Sequence, residues 1–482
     1  MEGEIHEKLL LEAKNKETLM KKIWEENKQM WIVSGPAILI RCSTFGVHVV
    51  SQAFIGQFSS SVLAAYALVF TVLFRFYLGI LMGINGGLGT LCGQAYGAKQ
   101  YHKLGIYLQQ QWLILFVITA LLSPLFVFAA PILKALGQDE HIAEGAGSLA
   151  LWFIPMIFLY AVCFSCNTYL QAQSKNFILS CFAVLSFLQH IFVSWLLAIR
   201  FEFGVGGVMV STVLAYLVPN VGQLAYIMCG GCRETWRGFT TACFKDLGLT
   251  VKLSISSGVM ICLEFCYTTV LILLTGNMGN AEVTVDALSI CLNISGWALM
   301  ISFGFLASAS VRVSNELGRR DAKAAKLAIV VSVLTSFVIG LVLFTFFLVF
   351  KESSAYMFTQ SPDVAKAVAR LSPLLAFTIL LNGLQPALSG VASGAGRQGF
   401  VAYVNLGSYY LIGVPLGVVL GYVFDFQVEG VWIGMIIGIV FQTCVLIIMT
   451  CTTNWDEQVA LAQIRINKRS STTDQTNDDI AT

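Results

Sequence analysis

Charge is what this sequence has least of. Asp, Glu, Lys and Arg make up 12% of its 482 residues, against roughly 25% in a soluble domain. Acids are the scarcest. None occurs between Asn27 and Gln138, and none between Gly145 and Phe201. Such stretches cannot cover a water-facing surface, so most of the chain must avoid water. The formal net charge of +2 lacks the basic field that a nucleic-acid partner needs. No His-Glu-x-x-His, no paired mid-membrane aspartates and no Gly-x-Ser-x-Gly elbow is present, which argues against an intramembrane enzyme. Rings of like charge that would line an ion channel are missing too. Residues Met1 to Lys28 alternate Glu and Lys and read as a cytosolic tail, not a cleavable signal. A short amphipathic helix is expected around Leu19–Trp24. The 13 cysteines lie mostly inside apolar runs and read as small packing residues.

What is abundant is apolar sequence, 57% of the chain. A membrane-crossing helix needs about 20 such residues at about 1.5 Å each. Six runs precede a polar linker at 230–248: residues 31–53, 64–91, 104–129, 147–170, 177–199 and 206–228. Six follow it: 249–274, 285–310, 325–350, 368–393, 401–423 and 430–450. The fold expected is an all-α polytopic membrane protein of twelve spans. Residues 29–229 form one lobe and 249–452 the other, with a cytosolic tail over 1–28. A polar, disordered cytosolic tail is expected over 453–482. Its Ser470-Ser471-Thr472-Thr473 run reads as solvated. With both termini in the cytosol, the loops on that side collect Lys99, Lys175, Arg233, Arg319, Arg320 and Arg397, a positive-inside bias.

The halves repeat. Gly97 in its loop matches Gly318, an offset of about 221 (318 minus 97). Lys175-Asn176 matches Arg397-Gln398, and Gly207-Val208 matches Gly430-Val431. Six spans per half put the two in the same orientation, the parallel repeat of many secondary transporters.

Within the spans an ionisable side chain costs at least about 2.5–3.5 kcal/mol and asks for a reason. Glu264 is the one carboxylate at mid-depth, twelve residues past Lys252 and so roughly 18 Å into the bilayer. A carboxyl taken out of water favours its neutral form, which suits a proton-coupling group. Asp286, at the start of the eighth span, is the second candidate. The first half has no carboxylate at the position matching Glu264, near Cys42 to Thr44. Arg41 and Arg75 are expected to bond backbone carbonyls or neighbouring helices. His48 and His190 are expected to be packing hydrogen-bonders. Pro36, Pro155, Pro386 and Pro415 are expected to interrupt spans. Tyr267, Asn293, Trp297, Asn382, Gln385 and Tyr409 are candidates to line a solute cavity with aromatic and amide surface, with Tyr403, Asn405 and Tyr410 nearby.

Several segments resemble a known family. Thr90-Leu91-Cys92-Gly93-Gln94-Ala95-Tyr96-Gly97-Ala98-Lys99, Cys262-Leu263-Glu264, Val311-Arg312-Val313-Ser314-Asn315-Glu316-Leu317-Gly318 and Leu380-Leu381-Asn382-Gly383-Leu384-Gln385-Pro386 are similar to motifs of plant multidrug and toxic compound extrusion (MATE, or DETOXIFICATION) transporters. The resemblance runs from about Lys22 to Trp455. It implies two six-helix lobes in a V that alternates between inward and outward openings. It implies an antiporter that exchanges protons for organic solutes such as flavonoids or alkaloids, at the tonoplast or plasma membrane. The residue at the Glu264 position would bind the proton, helped by the group at Asn382. The proton gradient would be the energy source, with no cofactor. The partners would be a small organic solute, protons and the lipid bilayer, and the chain is expected to be a monomer. Some relatives carry a second Glu where this chain has Thr269, and Gly-Trp-Gln where it has Gly396-Arg397-Gln398. A lipid-linked solute flippase would need a larger cationic cavity than Arg41 and Arg75 supply. A facilitator or anion channel without proton coupling is the remaining alternative.

Overall fold

Inside a bilayer every backbone N–H and C=O must be satisfied within the chain, and a helix does this locally. The computed structural model accordingly places twelve helices long and apolar enough to cross a membrane. It describes residues 2–276, 282–356 and 358–467; the side chains of 2–16, 18, 268, 271–273, 275–276, 282–286, 352 and 354 are outside the description. The first lobe holds α1 (Glu2–Phe58), α2 (Ser60–Gly97), α3 (Tyr101–Val127), α4 (Glu140–Ala172), α5 (Asn176–Arg200) and α6 (Gly204–Gly231). The second holds α7 (Leu247–Gly276), α8 (Glu282–Gly318), α9 (Ala322–Val349), α10 (Pro362–Gly394), α11 (Gln398–Val423) and α12 (Gln427–Thr452).

The internal repeat is written into the backbone. Non-glycine residues rarely take positive φ, yet Lys99 (60°) pairs with Arg320 (67°), and Glu202 (57°) with Asp425 (55°). Ser174 (57°) pairs with Gly396 (74°), and Gly204 (56°) with Gln427 (50°). Each pair falls near the offset of about 221 read from the loops. The same left-handed turns therefore end or join corresponding helices in both lobes.

Some sequence expectations change. The helix expected around Leu19–Trp24 is present and leads into the first span as part of α1, but α1 is continuous through Pro36. Pro155 likewise lies inside an unbroken α4. A single missing N–H is tolerated there because the helix is held by its neighbours on both sides of it. The chain after α12 is not wholly disordered. Trp455–Asn467 forms a helix, α13, which buries Trp455, Ala462 and Ile466. Asn454 starts it by accepting from the backbone N–H of Asp456 (3.2 Å). The Ser470–Thr473 run lies outside the described residues.

The lobes meet through α2 and α7 and through α1 and α8. Glycine permits this closeness. A Cβ on Gly83 would lie 2.5 Å from Gly258 Cα, and one on Gly97 would lie 2.0 Å from the Asn315 carbonyl oxygen. Inter-lobe hydrogen bonds cluster in the half that carries the chain ends. Thr90 donates to the Ser393 carbonyl (2.7 Å), Gln94 to that of Gly394 (3.1 Å), and Ser308 to that of Met30 (3.1 Å). On this face the two lobes are closed against each other.

Candidate transport site

Span α10 breaks at Gly383 and Leu384, between Pro362–Asn382 and Gln385–Gly394. Pro386 has no N–H to give, so the preceding turn cannot close in the helical way. At the break the Gly383 carbonyl accepts from the Ser336 hydroxyl (2.5 Å). Gly383 packs on Gly340 of α9, where a Cβ would come within 2.8 Å of Gly340 Cα. The break turns Asn382 and Gln385 toward the inside of the second lobe.

There they meet Glu264 of α7. The Gln385 side chain shares a cavity wall with the Glu264 carboxyl and donates to Ser389 (3.1 Å). Glu264, Tyr267, Asn382, Gln385 and Tyr409 line one cavity of about 110 Å³, which Arg75 of the first lobe also borders. The rings of Tyr267 and Tyr409 stack at 4.2 Å and 8°. Behind them runs a polar chain. The Tyr409 hydroxyl donates to Gln442 (2.6 Å), Gln442 to Asn405 (2.6 Å), and Asn405 to the Met260 carbonyl (2.9 Å). This chain fixes α11 and α12 to the stretch of α7 that carries Glu264. Gln442 was not singled out from sequence. A lone amide in the middle of a long apolar span was the available signal.

Glu264 also borders a second cavity of about 80 Å³ between the lobes. Its first-lobe wall includes Arg41, Asn85 and Gln171, and its second-lobe wall Ser310 and Ser393. One carboxyl thus faces both the interior of the second lobe and the cleft between lobes.

Other candidates lie elsewhere. On α8 the residues at the first cavity are Leu292, Ser295, Leu299 and Phe303, at helical spacing. That turns Asn293 and Trp297 away from it; Trp297 packs edge-on against Phe45 of the first lobe at 4.9 Å. Tyr403 is exposed (78%) on the outer surface, and Tyr410 donates to the Leu263 carbonyl (3.0 Å). The Asp286 side chain lies outside the described residues. His48 accepts from or donates to Tyr216 (2.7 Å), and His190 contacts Ser211 (2.9 Å) and Ser51 (3.1 Å). Both are knotted into first-lobe packing. Arg41 and Arg75 depart from expectation, because neither donates a hydrogen bond to a described residue. Instead the Arg41 guanidinium lies 4.6 Å from the Phe164 ring centre. The 13 cysteines are free thiols. Cys163/Cys166 and Cys229/Cys232 have Cys-x-x-Cys spacing, and no metal-holding group of three or more ligands is found among the described residues.

The family model for MatE matches residues 36–196 and again 257–419, two copies at the spacing of the repeat. The chain belongs to the MatE family. Protein DETOXIFICATION 21 of Arabidopsis thaliana is 54% identical over 95% of this chain and 92% of its own length. Protein DETOXIFICATION 22 of the same plant is 54% identical over 93% and 91%. The crystal structure of the eukaryotic MATE transporter AtDTX14 superposes with a TM-score of 0.88 at 31% identity, covering 92% of this chain and all of that one. The Vibrio cholerae MATE transporter VcmN in its bent form shares the fold, with a TM-score of 0.77 at 15% identity, over 92% of this chain and 99% of that one. This MatE chain is therefore an integral membrane transporter of the multidrug and toxic compound efflux type, and not an enzyme.

Proposed function

We propose that this transporter is a proton-coupled antiporter that moves organic solutes by alternating access, with Glu264 as the proton site. The observation that carries the reading is the position of Glu264. It is a carboxyl at mid-span, beside Gln385 at the break in α10, on the wall of both the second-lobe cavity and the inter-lobe cleft. A proton gained or lost there changes charge where solute space and helix packing meet.

The termini lie in the cytosol in this proposal, so the closed face is the cytosolic one and the cleft opens to the lumen or outside. Protonation of Glu264 from that acidic side removes its charge beside Gln385 and Asn382. The halves of α10 and the facing stretches of α7 and α8 then repack, and solute leaves. The lobes rock open to the cytosol, Glu264 releases its proton, and new solute enters. A proton drives this cycle only through its different affinity for the two states. Asp286 is the second proton-coupling candidate. Asn382 and Gln385 position the carboxyl, and the Tyr267–Tyr409 stack offers flat aromatic surface to flavonoid- or alkaloid-like solutes. The working unit is a monomer in the tonoplast or plasma membrane.

The test is uptake of alkaloids and flavonoid glycosides into proteoliposomes under an imposed pH gradient. Uptake that collapses when a proton ionophore dissipates the gradient is expected. Equal uptake with and without the gradient would make the protein a facilitator.

A further inference from the structure

The first lobe holds a cation, Arg41, with no ion-pair partner among the described residues. Arg41 sits on α1 about thirteen residues past Lys28, and so roughly 20 Å into the span. The acids of residues 29–229, Asp139, Glu140, Glu144 and Glu202, all lie at or near helix ends, and Glu26 of α1 is paired with Arg312. The guanidinium makes no hydrogen bond or ion pair with a described residue. The side chain is half-buried, so the charge faces cavity space that water or an anionic ligand can fill.

The surroundings are those of a ligand site. The Phe164 ring holds the guanidinium from one side at 4.6 Å. Arg41 lines two spaces at once, the inter-lobe cavity of about 80 Å³ and a pocket of about 40 Å³ inside the first lobe. The inner pocket adds polar groups from three other helices, among them Tyr160, Asn167 and Gln223. Asn167 and Gln223 are fixed to each other (3.0 Å), and the Gln223 carbonyl oxygen is buried with no partner. An arginine presents its N–H groups as a planar fork, which fits a carboxylate or similar oxyanion by two parallel bonds. Amide groups beside it suit hydroxyls.

We infer that Arg41 is an oxyanion anchor, so that the solutes include organic acids whose carboxylate enters the first lobe while the rest of the molecule spans the cleft toward Glu264. The inference rests on the transport reading for its setting, but it is a statement about binding and needs no proton coupling.

The test measures equilibrium binding to the full-length protein in nanodiscs with no pH gradient, so it stands or falls apart from antiport. The probes are 7-methoxycoumarin-4-acetate and its methyl ester, which differ by one negative charge. The acid should bind saturably, and the ester about tenfold to a hundredfold more weakly, the range of a charge-assisted bidentate contact. Arg41→Gln should lose the preference for the acid. Arg41→Lys, which keeps the charge without the fork, should fall between and covers the case where the Gln variant does not fold. Arg200→Gln, exposed at the far end of α5, should keep the preference. Equal binding of acid and ester, no saturable binding of the acid, or a preference that survives Arg41→Gln or disappears with Arg200→Gln would each overturn the assignment. So would chloride competing as strongly as unlabelled acid, which would make this a simple inorganic-anion site.

Discussion

Arg312 of α8 and Glu26 of α1 form a bidentate pair across the two lobes, with Nε to Oε1 at 2.8 Å and Nη2 to Oε2 at 2.7 Å. Arg312 also reaches Glu316 (2.9 Å), which Arg319 holds from its other side (3.0 Å). The cluster is buried, Glu26 at 8% exposure and Arg312 at 7%. Removing one member of such a pair leaves the other charged and desolvated, at a cost of about 3–5 kcal/mol. Arg312→Ala is therefore expected to open this face. Spin labels at Lys99 and Arg320, on turns of opposite lobes, should gain a longer-distance population. An unchanged distance distribution would show that the pair does not hold the lobes together.

Close backbone approach is the second lock. A methyl at Gly97 would lie 2.0 Å from the Asn315 oxygen, and one at Gly318 would lie 2.2 Å from the Gln94 oxygen. Both obstacles are backbone, so they cannot swing aside. Gly97→Ala should prevent closure and abolish transport while the protein still inserts and purifies. Gly206→Ala, where nothing lies within 4 Å, should transport normally and serves as the control.

Helix α13 straps the same face. Lys103 of the first lobe donates to the Ile466 carbonyl (2.6 Å), while Arg465 donates to that of Ala395 (2.8 Å) and Gln463 to that of Gly318 (3.0 Å) in the second. Truncation before Trp455 removes all three contacts. It should shift the Lys99–Arg320 label distances toward the open state and lower the melting temperature. An identical distance distribution and melting curve would reduce α13 to decoration.

Much of this architecture is legible in the sequence because a bilayer leaves the chain few options. Apolar runs must be helices, and loop motifs repeating at one offset must be matching turns; Lys99 and Arg320 show this in their shared left-handed φ. Glu264 stands out because a carboxyl at mid-span is expensive. What sequence does not show is rotation about a helix axis. Asn293 and Trp297 are polar and aromatic in the right span, yet the face of α8 toward the cavity is that of Leu292 and Ser295. Continuity through Pro36, the helix at Trp455–Asn467 and the unbonded guanidinium of Arg41 all depend on tertiary neighbours that a linear pattern does not record.

The account turns on Glu264, and the most direct test is proton movement counted against solute movement in proteoliposomes holding wild type or Glu264→Gln. Gln keeps the size of the side chain but cannot take up or release a proton. The account predicts that adding solute to wild type moves protons in the opposite direction, and that the Gln variant folds with a normal melting curve but moves neither protons nor solute against a gradient. Proton-coupled uptake persisting in Glu264→Gln would contradict it.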